Sequence, residues 1–201
     1  MAAAIDFYFD FSSPYGYFAA TRINQLAARY AREVKWHPIL PGVVFKATGS
    51  APLTQVPVKG DYALHDFARS ARFHGIPYRR PDVLPISTQA AARAVLWARA
   101  QQGEQKAIDF AMQIYSAYFV DGINISEPSH LPEIGRRAGI DTTDLIEGIN
   151  SLPIKNQLKE DVEQAMARGV FGSPFVIADG ESFWGFDRFD QLEALLRDGK
   201  I

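Results

Sequence analysis

The 201-residue chain contains no cysteine. No disulfide can form within it, its own side chains cannot run dithiol exchange, and thiolate-bound zinc is ruled out. An excess of one charge sign is also missing. Against 21 Lys and Arg stand 23 Asp and Glu, a formal charge of −2, which gives no broad field for nucleic acid or an anionic membrane surface. No stretch approaches the roughly 18 uninterrupted apolar residues of a membrane span. The start, Met1-Ala2-Ala3-Ala4, has neither the basic nor the apolar region of a signal peptide. These absences lead to a soluble, cytoplasmic protein whose partners are small molecules or other proteins. His37, His65, His74 and His130 show no metal-ligand spacing, so no metal is expected and each reads as structural or exposed. His37, expected near the edge of the candidate active site, is also a candidate for moving protons.

What is present suits a real core: 47% of the residues are hydrophobic. Ile5, Phe7, Phe9 and Phe11 alternate with Asp6, Tyr8 and Asp10, the period of a strand with one apolar face. Pro14 suits the first turn of a helix. Phe18, Ile23, Leu26 and Tyr30 then return at helical spacing, and 34–40 reads as a second strand. Such a strand-helix-strand unit makes its two strands parallel. Residues 41–60 are rich in Pro, Gly, Ser and Thr and read as a long loop. Helices are predicted over 62–73, 88–102, 104–119, 129–138, 144–150 and 155–167, with Asp141 or Thr143 as an N-cap. Phe175 to Ala178, Asp179-Gly180 and Ser182 to Trp184 read as a hairpin. A helix over 188–197 closes the chain.

Four segments carry chemistry. Ser12-Ser13-Pro14-Tyr15-Gly16 stands at the strand-to-helix junction, where a serine is commonly just a cap. A hydroxyl there can also donate to an anionic sulfur beside the helix N-terminus. Both uses fit if Ser12 caps and Ser13 faces a ligand. No His or Lys neighbours Ser13 in sequence to make it a nucleophile. Gly172-Ser173-Pro174-Phe175 opens the third strand, with Pro174 either a plain trans proline at the strand start or a cis proline that frees the Ser173 backbone for an extended peptide. Trp184-Gly185-Phe186-Asp187-Arg188 offers Asp187 as a helix cap or as an acceptor for a ligand ammonium, and Arg188 as a solvated or a ligand-facing cation. Lys59, in Val56-Pro57-Val58-Lys59-Gly60, is a solvated lysine or, with the loop folded inward, a partner for a ligand carboxylate. The aromatic residues Phe45, Phe67, Trp97, Tyr115, Tyr118 and Phe119 suit a helical core or the wall of an apolar pocket.

Taken together, these segments resemble the 2-hydroxychromene-2-carboxylate isomerases, relatives of the kappa-class glutathione transferases among DsbA-like folds. The resemblance spans nearly the whole chain. It rests on Phe7-Tyr8-Phe9-Asp10-Phe11 with Ser13-Pro14-Tyr15, on Pro57-Val58-Lys59-Gly60 with Tyr62 and Asp66, on Phe171-Gly172-Ser173-Pro174, and on Trp184-Gly185 with Asp187-Arg188. It implies an α/β thioredoxin-like fold, residues 1–40 with 170–201, carrying a helical domain, 41–169, inserted between the second and third strands. It also implies glutathione as cofactor, with Ser13 on the sulfur as the catalytic group. Ser173 and cis-Pro174 would pair with its backbone, and Asp187, Lys59 and Arg188 would lie about its charged ends. The implied reaction is cis/trans isomerisation of an aromatic catabolite by transient thiolate addition, with glutathione regenerated, in a homodimer. A kappa-like transferase or peroxidase, and a non-catalytic module that binds peptides at Ser173-Pro174, are the alternatives. Two positions depart from kappa-class patterns: Ser50 stands where Asn is frequent, and Phe186 where a small polar residue is.

Overall fold

A computed structural model describes residues 3–201; Met1 and Ala2, the start of the 1–40 segment and of the leader reading, lie outside the described residues. The alternating N-terminal segment forms β1 (Ile5–Phe9), and Val34–Pro38 forms β2. β1 and β2 pair in parallel, with Phe7 opposite Trp36. Between them runs helix α1 (Pro14–Ala28), begun by a proline whose missing N–H is no loss at that position. β3 (Phe175–Ala178) pairs antiparallel with β1, and β4 (Glu181–Trp184) antiparallel with β3, giving the order β2-β1-β3-β4. The β3–β4 turn has Asp179 at φ 51 and Gly180 at φ 87, the two positive values that match the twist of a hairpin.

The two faces of the sheet bury different material. Ile5, Phe7, Phe9, Trp36 and Val176 join α1 in a large core that continues into the helices between β2 and β3, through Phe110, Ile114, Tyr115 and Phe119. Trp36 stands edge-on to both Phe7 and Phe9, at 5.0 and 5.3 Å between ring centres. On the opposite face Tyr8, Ile39 and Phe175 pack with Ala165 and Val170. His37 belongs to that second face. Its Nε2 lies 2.8 Å from Asp6 Oδ1 and its ring stacks on Tyr8, so it does not reach the Ser13 turn. Strand alternation explains the correction, because Trp36 takes the inward direction and its neighbour must take the other.

Helices α3 (Lys59–His74), α4 (Gln89–Gln102), α5 (Glu104–Ser116), α6 (Leu131–Arg137), α7 (Leu145–Asn150), α8 (Leu152–Ala167) and α9 (Phe189–Asp198) follow the predicted series with shifted ends. Asp141 does not cap α7; its carboxylate accepts from the Thr143 N–H and hydroxyl instead. The expected loop over 41–60 is more ordered than its composition suggests. It holds helix α2 (Pro41–Thr48) and a 3-10 turn (Leu53–Gln55). Pro41 occupies a first-turn position, which offsets the poor helix propensity of Gly42, Val43 and Val44.

Just before α3 the backbone is strained. Val58 has φ 68 and ψ −48, and the Lys59 N–H donates to the Pro57 carbonyl across it at 2.8 Å, a γ-turn with positive φ. A β-branched residue there costs on the order of 1–3 kcal/mol. Val58 is 87% exposed and so gains little from packing. Val58→Gly should therefore raise stability by about 1 kcal/mol, a melting shift of roughly 2–4 °C for a domain of this size. An unchanged or lower melting temperature would show that the strain is absent.

Candidate active site

At the end of β1 the chain turns sharply into α1, and the sharpness comes from Asp10. Its carboxylate Oδ2 accepts from the Ser12 N–H at 2.9 Å and from the Ser12 hydroxyl at 2.5 Å, and its carbonyl accepts from the Ser13 N–H at 3.1 Å. The caps are thus reversed from the sequence expectation. Ser12 is spent on Asp10, and Ser13 is the N-cap of α1, its Oγ accepting from the Gly16 N–H at 3.0 Å. The Ser13 hydroxyl in turn donates to the Ser173 carbonyl at 3.0 Å, and Ser173 Oγ accepts from the Asp10 N–H at 2.9 Å. Two loops from distant parts of the sequence are therefore stitched together directly at the mouth of α1. The Ser173–Pro174 peptide bond is cis, as is Leu84–Pro85.

Gly16 makes this approach possible. A Cβ on it would lie 2.8 Å from Ser173 Oγ, 3.0 Å from the Tyr115 hydroxyl and 3.1 Å from Ser13 Cβ. With Asp10 holding Ser173 Oγ in place, relief by rotation costs a hydrogen bond.

Around this junction opens a cleft of about 940 Å³, near the upper end of the roughly 300–1,000 Å³ seen for small-molecule sites. Ser13, Lys59, Ser173, Pro174, Asp187 and Arg188 all line it. Lys59 begins α3, is exposed, and has no ion-pair partner among the described residues. Asp187 does not cap α9. It lies in a 3-10 turn, Phe186–Arg188, with its carboxylate 3.1 Å from Arg188 Nη1. Both side chains are largely exposed, and such a pair is worth at most about 1 kcal/mol, so a ligand charge can readily replace either partner.

Both departures from the kappa-class pattern also reach the cleft. Ser50 is exposed, its Oγ accepting from the Thr48 hydroxyl at 3.0 Å. Phe186 is buried among Phe18, His74 and Phe189, which explains an apolar residue there. Of the aromatic candidates, Phe45 and Phe67 form cleft wall, whereas Trp97, Tyr115, Tyr118 and Phe119 are core. Tyr15 donates to Asp66 at 2.5 Å, and Arg69 also pairs with Asp66. Burial raises the Asp66 carboxyl, but the bonds from Tyr15 and Arg69 outweigh it and leave the pKa below its ordinary value. Burial and Asp66 together push the Tyr15 phenol up.

Sequence reading missed three contributors. His74, read as structural or exposed, lies in the cleft wall against Phe186, its pKa lowered by burial and then by Arg22. Cis-Pro85 and Leu84 form another part of the wall. Asp10 is the third. It is 1% exposed and takes a further bond from the Thr88 hydroxyl at 2.6 Å. Its place in the Phe7–Phe11 motif that leads into Ser12-Ser13 is the signal the sequence offers.

Burial outweighs the bonds from Ser12 and Thr88 and raises the Asp10 pKa to about 6. An unfolded Asp titrates near 3.9, so between about pH 4 and 6 the native state holds a proton that the unfolded state has released. This group's contribution to stability is complete below about pH 4 and is lost as pH rises through about 6. Asp10→Asn should gain stability relative to wild type, on the order of 3 kcal/mol, between about pH 4 and 7.5. Denaturant melts of both proteins across that range check it; parallel pH profiles would refute the buried titration.

Comparison with known proteins agrees with this fold. Residues 4–197 match the DSBA-like thioredoxin domain family. A 2-hydroxychromene-2-carboxylate isomerase of Sphingobium xenophagum is 32% identical over 200 residues, covering 98% of this chain and all of that protein (100%). Glutathione S-transferase kappa 2 of Caenorhabditis elegans is 26% identical, with 96% of this chain and 91% of that one aligned. A solved 2-hydroxychromene-2-carboxylate isomerase superposes with a TM-score of 0.86 at 27% identity, over 97% of this chain and 95% of that structure. The chain belongs to the DSBA-like thioredoxin domain family and, within it, to the family of the 2-hydroxychromene-2-carboxylate isomerases.

Proposed function

We propose that this protein is a glutathione-dependent cis/trans isomerase acting on 2-hydroxychromene-2-carboxylate or a related aromatic catabolite. The observation that carries the reading is convergence. Ser13, Lys59, Ser173 with Pro174, and Asp187 with Arg188 come from four separate segments and meet in one cleft. Their chemistry matches an extended γ-glutamyl tripeptide. Asp187 suits its ammonium, Lys59 and Arg188 suit its carboxylates, and the backbone beside cis-Pro174 suits its extended main chain. The chain's lack of cysteine fits as well, since the sulfur then arrives with the ligand.

When bound, glutathione supplies a thiolate that adds to a conjugated alkene and is later expelled, which lets the former double bond turn as a single bond. The protein's part is to bind, orient and favour the ionised sulfur. The Ser13 hydroxyl, which now donates to the Ser173 carbonyl, is the donor that turns toward the sulfur. The Tyr15 N–H, second in α1, has no intrahelical carbonyl to reach and adds to the positive end of the helix. Lowering a thiol pKa by about two units needs about 2.7 kcal/mol, within reach of one charge-assisted hydrogen bond of roughly 1.5–3 kcal/mol with help from the dipole. Phe45, Leu53, Phe67 and Leu84 supply an apolar wall for a flat second molecule. The reading also takes the protein to be a cytoplasmic homodimer.

The similarity to the kappa-class transferase gives a second reading, in which the same thiolate is transferred to an electrophile or reduces a peroxide. Glutathione separates the two: an isomerase returns it and a transferase or peroxidase consumes it. At about 100 times the dissociation constant glutathione should add about 2.7 kcal/mol, raising the melting temperature by roughly 5–10 °C. No rise would remove glutathione from both readings and favour a peptide-binding module. Ser13→Ala should stay folded and lose at least about tenfold in turnover, and Lys59→Ala and Asp187→Asn should each weaken glutathione binding about tenfold. Retained turnover in the serine variant would take Ser13 out of the mechanism.

A further inference from the structure

Every polar atom of Asp10 is committed, and each bond holds a different part of the site. Its N–H goes to Ser173 Oγ, and its carbonyl takes the Ser13 N–H and, at 3.0 Å, the Tyr115 hydroxyl of α5. Its carboxylate takes Ser12 and, through Thr88, the start of α4. The groups facing it are hydroxyls and amides from the turn, from α4, from α5 and from the loop before β3. Tyr115 and Tyr118 are the titratable neighbours, and no Lys, Arg or His pairs with it among the described residues. Burying a carboxylate without a counterion is costly and would be pointless for a mere turn, which an Asn could hold equally well.

We propose that Asp10 is the positioning residue of this site: it locks the Ser13 turn against the Ser173–Pro174 loop, and its buried negative charge sets the pH at which a bound ligand thiol ionises. This rests on the glutathione reading above. Asp10 lines the same cleft as Ser13, so its carboxylate and a thiolate held there repel each other and titrate as a coupled pair. A carboxyl that titrates near pH 6 stands where such coupling is felt at neutral pH. No bond to substrate or sulfur is assigned to Asp10; it acts through its hydrogen bonds to Ser12, Ser13 and Ser173 and through the field of its charge.

The test uses the whole protein and glutathione itself. Calorimetry gives the affinity at about pH 7.5, and the ultraviolet thiolate band of bound glutathione, followed over about pH 5 to 9, gives the ionisation midpoint. Asp10→Asn keeps an acceptor for Ser12 and removes the charge; its midpoint should fall by about half a pH unit or more. Asp10→Ala loses the acceptor, and its affinity should fall about tenfold. A purely structural Asp10 would leave the midpoint of folded Asp10→Asn unmoved, and that result overturns the proposal even if Asp10→Ala fails to fold. Wild type that binds no glutathione overturns the reading beneath it as well, whereas wild type that binds and variants that match it overturn the role of Asp10 alone.

Discussion

The antiparallel pairing of the two central strands is the constraint on which the rest of the molecule depends. With Tyr8 opposite Phe175, the end of β1 and the start of β3 must emerge at the same edge of the sheet. The turn that follows one and the loop that precedes the other then have no choice but to touch. Ser13 and Ser173, 160 residues apart, become hydrogen-bonded neighbours. Everything assigned to the cleft is arranged about that contact. The helices between β2 and β3 supply a roof, with α2, the Leu53–Gln55 turn and the start of α3 on one side. The β4–α9 connection supplies Asp187 and Arg188 from the other.

Legibility in the sequence followed the range of the forces involved. The strands, the hairpin at Asp179-Gly180 and most helices rest on local periodicity and turn chemistry, and these appear where the pattern places them. Helix α2 escaped because its signal is weak. Gly42, Val43 and Val44 oppose helix, and among its residues only Val44 is buried, so neither propensity nor a stripe marks it. The choice between Ser12 and Ser13 as cap turned on which hydroxyl Asp10 captures, a matter of geometry that two adjacent serines cannot reveal.

Asp10 was the hardest residue to read. In the alternation of β1 it stands with Asp6, and the two look equivalent. Their surroundings are not. Asp6 pairs with Arg168 and His37 at the partly open second face, and those bonds outweigh burial and lower its pKa. Asp10 is sealed by Thr88 and Tyr115, which lie 78 and 105 residues away. No local window contains that information. His37 and His74 teach the same lesson in opposite directions, since the first is expected at the edge of the site and packs on the other face of the sheet, while folding brings the second to the cleft.

A thioredoxin-type junction without cysteine poses a particular electrostatic problem. The helix N-terminus and the Ser13 cap favour an anion at the mouth of α1, yet the residue that shapes the turn is an acid that pairs with no cation among the described residues. In a dithiol enzyme the nucleophilic sulfur is part of the folded chain and carries its charge whenever the site is reduced and the thiol ionised. On the glutathione reading the anion is present only while the ligand is bound, so the unliganded site has to remain stable without it. Internal bonds meet that requirement: the Ser13 hydroxyl rests on the Ser173 carbonyl, and Asp187 rests on Arg188. Each is a weak or shared interaction that a stronger, charged ligand group can displace, the Ser173 carbonyl then passing to the ligand's extended main chain. The site is thus preorganised in its backbone, where Asp10 and Gly16 fix the approach of the two loops, and exchangeable in its side chains, where a reversibly bound nucleophile needs it to be.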